Sequence, residues 1–285
     1  MEIITTVREL KKCLHLAKKQ GKTVGLVPTM GYLHEGHLTL MRKAREENDC
    51  VVASIFVNPL QFGQGEDFES YPRDLKQDSL RAASVGVDWV FAPKVAEMYP
   101  QGFENMNTFV EVSGVTAGLC GASRPGHFRG VATVVSKLFH IVEPDRAYFG
   151  QKDAQQVVVI QKMVQDLNMN VTIVPVPIVR EADGLALSSR NLYLGSAERQ
   201  AALVLSQSLQ LATKLLESGV QESDKILQQM TELIQREPLA ALEYLVIVDK
   251  ETLESVSDIQ GPILIAMAVR IGKTRLIDNI IWRNA

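Results

Sequence analysis

Cysteine is scarce in this chain. Cys13, Cys50 and Cys120 lie far apart, with no CxxC pair. That argues against a disulfide framework or a cysteine-rich zinc site and makes a reducing, cytoplasmic setting the expectation. Long apolar runs are missing too. Stretches such as Ile263 to Val269 fall far short of the roughly 20 residues that a membrane-crossing helix needs, so no membrane partner is expected. Nor is there an excess of positive charge: 30 Lys and Arg stand against 33 Asp and Glu, with a net charge of −3 and a pI near 6.0. Nucleic acid is therefore not an expected partner, although this balance leaves room for a local basic pocket. Arg8, Lys11 and Lys12 have no apolar core behind them, which is not the pattern of a signal peptide. Internal repeats, low-complexity tracts and heptads are absent. Two GKT tripeptides, in "QGKTVG" and "IGKTRL", lack the first glycine of a phosphate-binding P-loop; Leu16 and Met267 occupy its place.

What is present suits a globular chain. The 285 residues are 46% hydrophobic and 22% charged, enough for one large domain or two ordinary ones. Thr23–Val27, Val51–Val57, Asp88–Phe91, Arg146–Phe149 and Val171–Val174 read as short apolar strands. Helical patterns at Gly36–Glu47, Asp74–Val85, Phe128–Val142 and Asp153–Leu167 lie between several of them. Such alternation predicts an α/β, Rossmann-like parallel sheet covered on both faces, with ligands at the carboxyl ends of its strands. The prolines of "VPVPIVREADG" (174 to 184) mark a boundary, so residues 1–178 are expected to form the first domain and 179–285 a smaller one. In that second part, helices are expected at Ser196–Glu217 and Gln221–Arg236. Strands follow at Leu242–Val248, Ile263–Val269 and Thr274–Trp282, with connections short enough for a small antiparallel sheet of an α+β domain.

The stretch "VPTMGYLHEGHL" (27 to 38) carries the strongest chemical signal. Pro28 closes a strand, Gly31 supplies a turn, and His34 and His37 open the next helix on one face. A helix amino end offers free N–H groups and partial positive charge, and two imidazoles there add donors for phosphate oxygens. Gly36 leaves room for a flat base or a ribose. Together these suit holding a nucleoside triphosphate while a phosphorus centre is attacked. The bland alternative is that the histidines merely cap the helix. A zinc pair fits poorly, because HExH lacks the i, i+4 spacing of the metalloprotease helix.

Four further segments bear on chemistry. "FVNPLQFGQGEDFESYPRD" (56 to 74) follows a strand end, where a lid would lie, and Gln61 at its base suits a hydroxylated substrate. "GASRPGHFRG" gathers Arg124, His127 and Arg129 beside a helix start, which favours an anion. In "YFGQKDAQQ", Gly150 ends a strand, Lys152 is a mobile point charge, Asp153 is a reasonable N-cap and Gln156 lies on the first helical turn. "LALSSRN" offers two hydroxyls and an arginine as a phosphate grip on a loop able to close over a nucleotide. Each alone also reads as an ordinary surface turn.

Taken in order along essentially the whole chain, "LVPTMGYLHEGH", "SIFVNPLQF", "YPRD", "SRPGHFRGVAT", "FGQKDAQQ" and "GLALSSRNLYL" resemble the pantoate–β-alanine ligase family of the HIGH-motif nucleotidyltransferases. The resemblance implies ATP-dependent formation of a pantoyl adenylate, then attack by β-alanine to give an amide with release of AMP and pyrophosphate. By position it implies ATP contacts at Pro28, Thr29, Met30, Gly31, His34, His37, Gly150, Gln151, Lys152, Asp153, Val179, Leu187, Ser188, Ser189 and Arg190. Within that set His34, His37, Lys152 and Arg190 are the catalytic group: His37 is the expected proton donor, Lys152 meets the reacting phosphate, and Val179 touches adenine. Gln61, Gln156 and Met30 would hold pantoate or β-alanine. Mg²⁺ would ride on the phosphates, with Asp78 a weak candidate to support it. The family also implies a homodimer. Two other readings use the same residues: a related transferase acting on a different acid, or a nucleotide sensor without catalysis. The second-substrate glutamines argue against the sensor.

Overall fold

Val24–Thr29 (β2) and Cys50–Ile55 (β3) are buried along nearly their whole length, because helices cover both faces of the sheet they share. The computed structural model describes residues 1–63 and 65–283. Six parallel strands run in the order β1-β4-β3-β2-β5-β6, the others being β1 (Glu2–Ile4), β4 (Trp89–Phe91), β5 (Arg146–Gly150) and β6 (Thr172–Val176). Successive side chains of a strand face opposite ways. Val24 and Leu26 accordingly join the core under α1 (Val7–Lys19), α6 (His127–Val142) and α7 (Ala154–Asp166). Val27 instead joins the core under α2 (Glu35–Glu47) and α3 (Leu75–Ser84). Short helices α4 (Val95–Met98) and α5 (Leu119–Ser123) lie in the connection from β4 to α6. The chain moves outward from β2 to β3 but reaches β5 on β2's other side, so the carboxyl ends of β2 and β5 form a topological switch point.

The second sheet is antiparallel, in the order β7 (Ala240–Asp249), β8 (Ile263–Ile271), β9 (Thr274–Trp282). Helices α9 (Leu203–Glu217) and α10 (Ser223–Gln235) pack on one face, and Leu264 and Ala266 of the other face meet Ala154 of α7. The expected α/β architecture with a smaller α+β part is the architecture found. Among the described residues, no helix is long and apolar enough to cross a membrane.

Several local expectations need correction. β1 and α1 have no counterpart among the elements expected from the sequence. Yet Leu10, Leu14 and Ala17 form a buried helical stripe, and Thr6 caps its start by accepting from the Glu9 N–H. The strand expected to continue to Val57 stops at Ile55, where Asn58 caps a 3-10 turn. Pro175 lies inside β6 rather than ending it, which an edge strand tolerates because a missing N–H there breaks no ladder bond to a further strand. The helix expected over Ser196–Glu217 is two, α8 (Ser196–Ala201) and α9, meeting at Ala202, whose carbonyl accepts from Leu205 three residues on. The two GKT tripeptides are plain turns: Gly21 (φ 72°) links α1 to β2, and Gly272 (φ 56°) sits in the β8–β9 hairpin.

Candidate active site

The histidine turn leaves β2 at Thr29 and needs a left-handed step at once. Gly31 (φ 86°) and Tyr32 (φ 51°) supply it. A Cβ on Gly31 would come within 2.9 Å of Ile55 and 3.0 Å of Asp78. Asp78, buried on α3, accepts from the N–H groups of Tyr32 (2.8 Å) and Leu33 (2.7 Å). Both of its oxygens therefore serve the backbone of the turn, and it does not line the cleft. The structure makes Asp78 a brace for the turn.

The two imidazoles do cap the helix, and the capping fixes their chemistry. His34 accepts the Gly36 N–H on Nδ1 at 3.2 Å, and His37 accepts the His34 N–H on Nδ1 at 3.2 Å. A neutral imidazole that accepts on one nitrogen carries its proton on the other, so each Nε2–H remains as a donor. Their rings lie 4.0 Å apart. Burial, then the charge of Lys152, pushes His34 down to about 4. His37 is held well below the usual imidazole range by burial first, then by His34 and Lys152. Gly36 has a nearer reason than admitting a base: a Cβ there would approach the His34 ring to 2.9 Å.

The second wall follows β5. Gly150 opens a 3-10 turn, Gln151–Asp153, and a Cβ on Gly150 would meet nothing within 4 Å. Lys152 lines the cleft, and its side chain has no hydrogen-bond or ion-pair partner among the described residues. Asp153 occupies the N-cap position of α7, yet its side chain makes no capping bond, contrary to the expectation. Among the described residues it is the one carboxylate that lines the cleft.

A third wall comes from the segment after β3. Gln61 is buried, its Nε2 donating to Met30 Sδ (3.0 Å) and its Oε1 accepting from Asn58 (3.3 Å). Asn58, which has no distinguishing pattern in the sequence, also donates to the Gly130 carbonyl and accepts from Tyr99. Gly130 is equally unforeseen: a Cβ there would lie 2.3 Å from the Leu60 carbonyl oxygen, so only glycine lets α6 approach this turn. His127 donates from Nδ1 to the Gln61 carbonyl (2.8 Å) and accepts from Arg124 on Nε2 (3.1 Å). Burial, then Arg124, lowers it to about 4. Arg129 is not part of the cleft; it stacks on Phe109, 3.7 Å from the ring centroid.

The fourth wall is the segment 177–190. Leu187 N–H donates to the Val179 carbonyl, bringing those two residues together, and Ser188 caps the 3-10 turn Ser189–Tyr193. Arg190 does not point freely at the cleft. Its fork grips Asp67 of the 56–74 segment at 2.9 and 3.1 Å, and Arg124 grips Glu66 at 2.6 and 2.7 Å.

These walls enclose a cleft of about 230 Å³ at the switch point. All the expected contact residues line it except Gly31, Gln151 and Asp78. Gly31 and Asp78 shape the histidine turn, while Gln151 turns its carbonyl to Asn279. The cleft lining includes His34, His37, Lys152 and Arg190, the apolar side chains of Phe56, Val131, Val134 and Phe149, and the amides of Gln61 and Gln156. Cationic and N–H groups together with apolar side chains in one cleft suit a polyanion bound with a compact organic acid.

The comparisons point the same way. Residues 2–281 match the family model described as pantoate-beta-alanine ligase. Pantothenate synthetase from Heliobacterium modesticaldum is 60% identical over 281 residues, covering 99% of each chain. The crystal structure of pantothenate synthetase from Thermus thermophilus superposes with a TM-score of 0.93 at 49% identity, covering 98% of this chain and 99% of that one. Pantoate-beta-alanine ligase from Francisella tularensis, solved complexed with beta-gamma ATP and beta-alanine, gives 0.79 at 35% identity, covering 99% and 97%. This chain belongs to the pantoate–β-alanine ligase family.

Proposed function

We propose that the chain joins pantoate and β-alanine at the expense of ATP. The observation that carries this reading is one cleft lined both by basic and N–H-bearing side chains and by apolar side chains with two glutamines. A carboxylate is a poor acyl donor until one of its oxygens becomes part of a good leaving group. A pantoate carboxylate oxygen attacks the α-phosphorus of ATP, the bond from that phosphorus to the bridging oxygen breaks, and pyrophosphate leaves. The β-alanine amine then attacks the acyl carbon, the carbon–oxygen bond to AMP breaks, and the amine's surplus proton passes to solvent.

In this reading His34 and His37 donate Nε2–H bonds to phosphate oxygens as neutral imidazoles, since Nδ1 of each is committed to the backbone. His37 thus serves as a hydrogen-bond donor rather than as an imidazolium acid. Lys152 meets the reacting phosphate, and Arg190 with Ser188 and Ser189 holds the triphosphate. Gln61 and Gln156, with Met30, hold the acid, while Val179 and Leu187 flank the adenine. Fixing the reactants in line and excluding water protects the adenylate until the amine arrives.

Mg²⁺ fits as a passenger of the nucleotide. Among the described residues no cluster of three ligating side chains exists, and Asp153 is the one carboxylate lining the cleft. That donor set suits an ion bound mostly by phosphate oxygens and water, where it offsets phosphate charge. The domain boundary is placed at 178/179, supported by the parallel sheet ending at Val176 and the antiparallel one starting at Ala240; the second domain closes over the cleft. A cytoplasmic setting is supported by three free cysteines, and a homodimer by the family resemblance.

The test is direct. Protein mixed with ATP, Mg²⁺ and pantoate should release pyrophosphate, and adding β-alanine should release AMP. Equal pyrophosphate release with unrelated acids would point instead to a transferase with another substrate. ATP bound but never cleaved would make the chain a sensor.

A further inference from the structure

Lys152 sits on a turn with little to hold it from the cleft side. Gly150 before it contributes no side chain, and the space a Cβ would fill there is open. The Lys152 side chain itself has no partner among the described residues. What fixes the turn comes from behind, and from the other sheet. Asn279 of β9, 3% exposed, donates from Nδ2 to the carbonyls of both Gln151 (3.0 Å) and Lys152 (2.9 Å). The amide orientation follows from its partners, because two carbonyl oxygens demand the NH₂ end. Its own backbone N–H is taken by Asp278 Oδ1 (2.8 Å).

Neighbouring side chains on a strand face opposite ways, and β9 uses both faces at this point. Asp278 pairs bidentately with Arg180, beside Val179 of the fourth wall, at 2.7 and 2.8 Å. Asn279 holds the Lys152 turn. One dipeptide of the antiparallel sheet is thus tied to two walls of a cleft whose chemistry lies mainly on the parallel sheet.

We infer that Asn279 is a positioning residue: it sets the Lys152 ammonium at the reacting phosphate by clamping the backbone of the 151–152 turn. The inference rests on the role proposed above for Lys152. It makes the lysine's placement depend on docking of the second sheet, so that an undocked chain binds substrates without activating them well. A displacement near 1 Å can cost about a hundredfold in rate; partial loosening of one turn should cost about tenfold.

The experiment is a double-mutant cycle on pantoate-dependent pyrophosphate release, using the full chain. Wild type, Asn279→Ala, Lys152→Met and the double variant are compared at equal folded fraction, read by circular dichroism. Asn279→Ala should lower kcat about tenfold with the KM for pantoate nearly unchanged, and Asn279→Ser, which keeps one donor, should fall between. In the Lys152→Met background the same change should cost nothing further, because there is no ammonium left to place. Equal losses in both backgrounds would show a general structural role and overturn the inference. So would a harmless Asn279→Ala beside a damaging Lys152→Met. A harmless Lys152→Met would instead remove the lysine's proposed role, and the inference would fall with it.

Discussion

His34 and His37 use their two nitrogens for different work. Nδ1 completes the hydrogen bonding at the start of α2, and Nε2–H is left for a ligand. A helix amino end with two extra neutral donors stabilises phosphate charge without first having to gain a proton, and burial keeps both rings in that state. His37→Ala should therefore lower turnover about a hundredfold or more, measured as pantoate-dependent pyrophosphate release; near-normal turnover would refute its role. The chemistry of this turn was legible in the sequence, because strand, proline, glycine and histidines are contiguous and their spacing alone places them at a helix start. The commitment of each Nδ1 was not. HExH resembles a capping box only once the backbone N–H groups of His34 and Gly36 are seen to point at the rings.

At the scale of elements, the 56–74 segment is more than a loop over a cleft. Glu66 and Asp67 occupy the guanidinium forks of Arg124 and Arg190, so carboxylates stand where phosphate oxygens are expected to bind. On the function proposed above, phosphate has to displace Asp67 from Arg190 before the arginine is free to grip it. A half-exposed pair of this kind is worth about 0.5–1 kcal/mol. Asp67→Asn should accordingly lower the KM for ATP about two- to fivefold, read from initial rates at saturating pantoate. An unchanged or raised KM would show that the pair does not compete with the nucleotide. The sequence placed this segment at a strand end and Arg190 on a facing loop. It held no sign that they meet, since Asp67 and Arg190 lie 123 residues apart and an acidic residue in a polar loop has no distinguishing pattern. Gly130 is the same kind of case: nothing in "FRGVAT" announces that the Leu60 carbonyl lies where a Cβ would be.

For the molecule as a whole, buried neutral histidines tie stability to pH. His34 and His127 titrate near 4 when folded, against 6.5 for an ordinary imidazole. Below about 6.5 the unfolded chain therefore binds more protons than the folded one. The stability these groups contribute is complete above that pH and is lost as pH falls toward 4. Thermal melts should show Tm dropping across this window, with a shallower slope in His127→Asn. Identical slopes in both proteins would mean that His127 is not held neutral.

Local sequence alone carries the alternation of apolar strands and amphipathic helices, the change of pattern after residue 178, and the strand–turn–histidine arrangement at 28–37. These depend on periodicity and on neighbours a few residues apart, which is the range over which backbone geometry is set by local chemistry. Long-range packing is what makes Asp78 brace the histidine turn, brings Asn279 to the Lys152 turn and joins Arg190 to Asp67. Each of these bonds joins segments far apart in the chain, formed only when two sheets and their connections have packed. A single polar side chain awaiting such a partner looks, in a sequence, like any other.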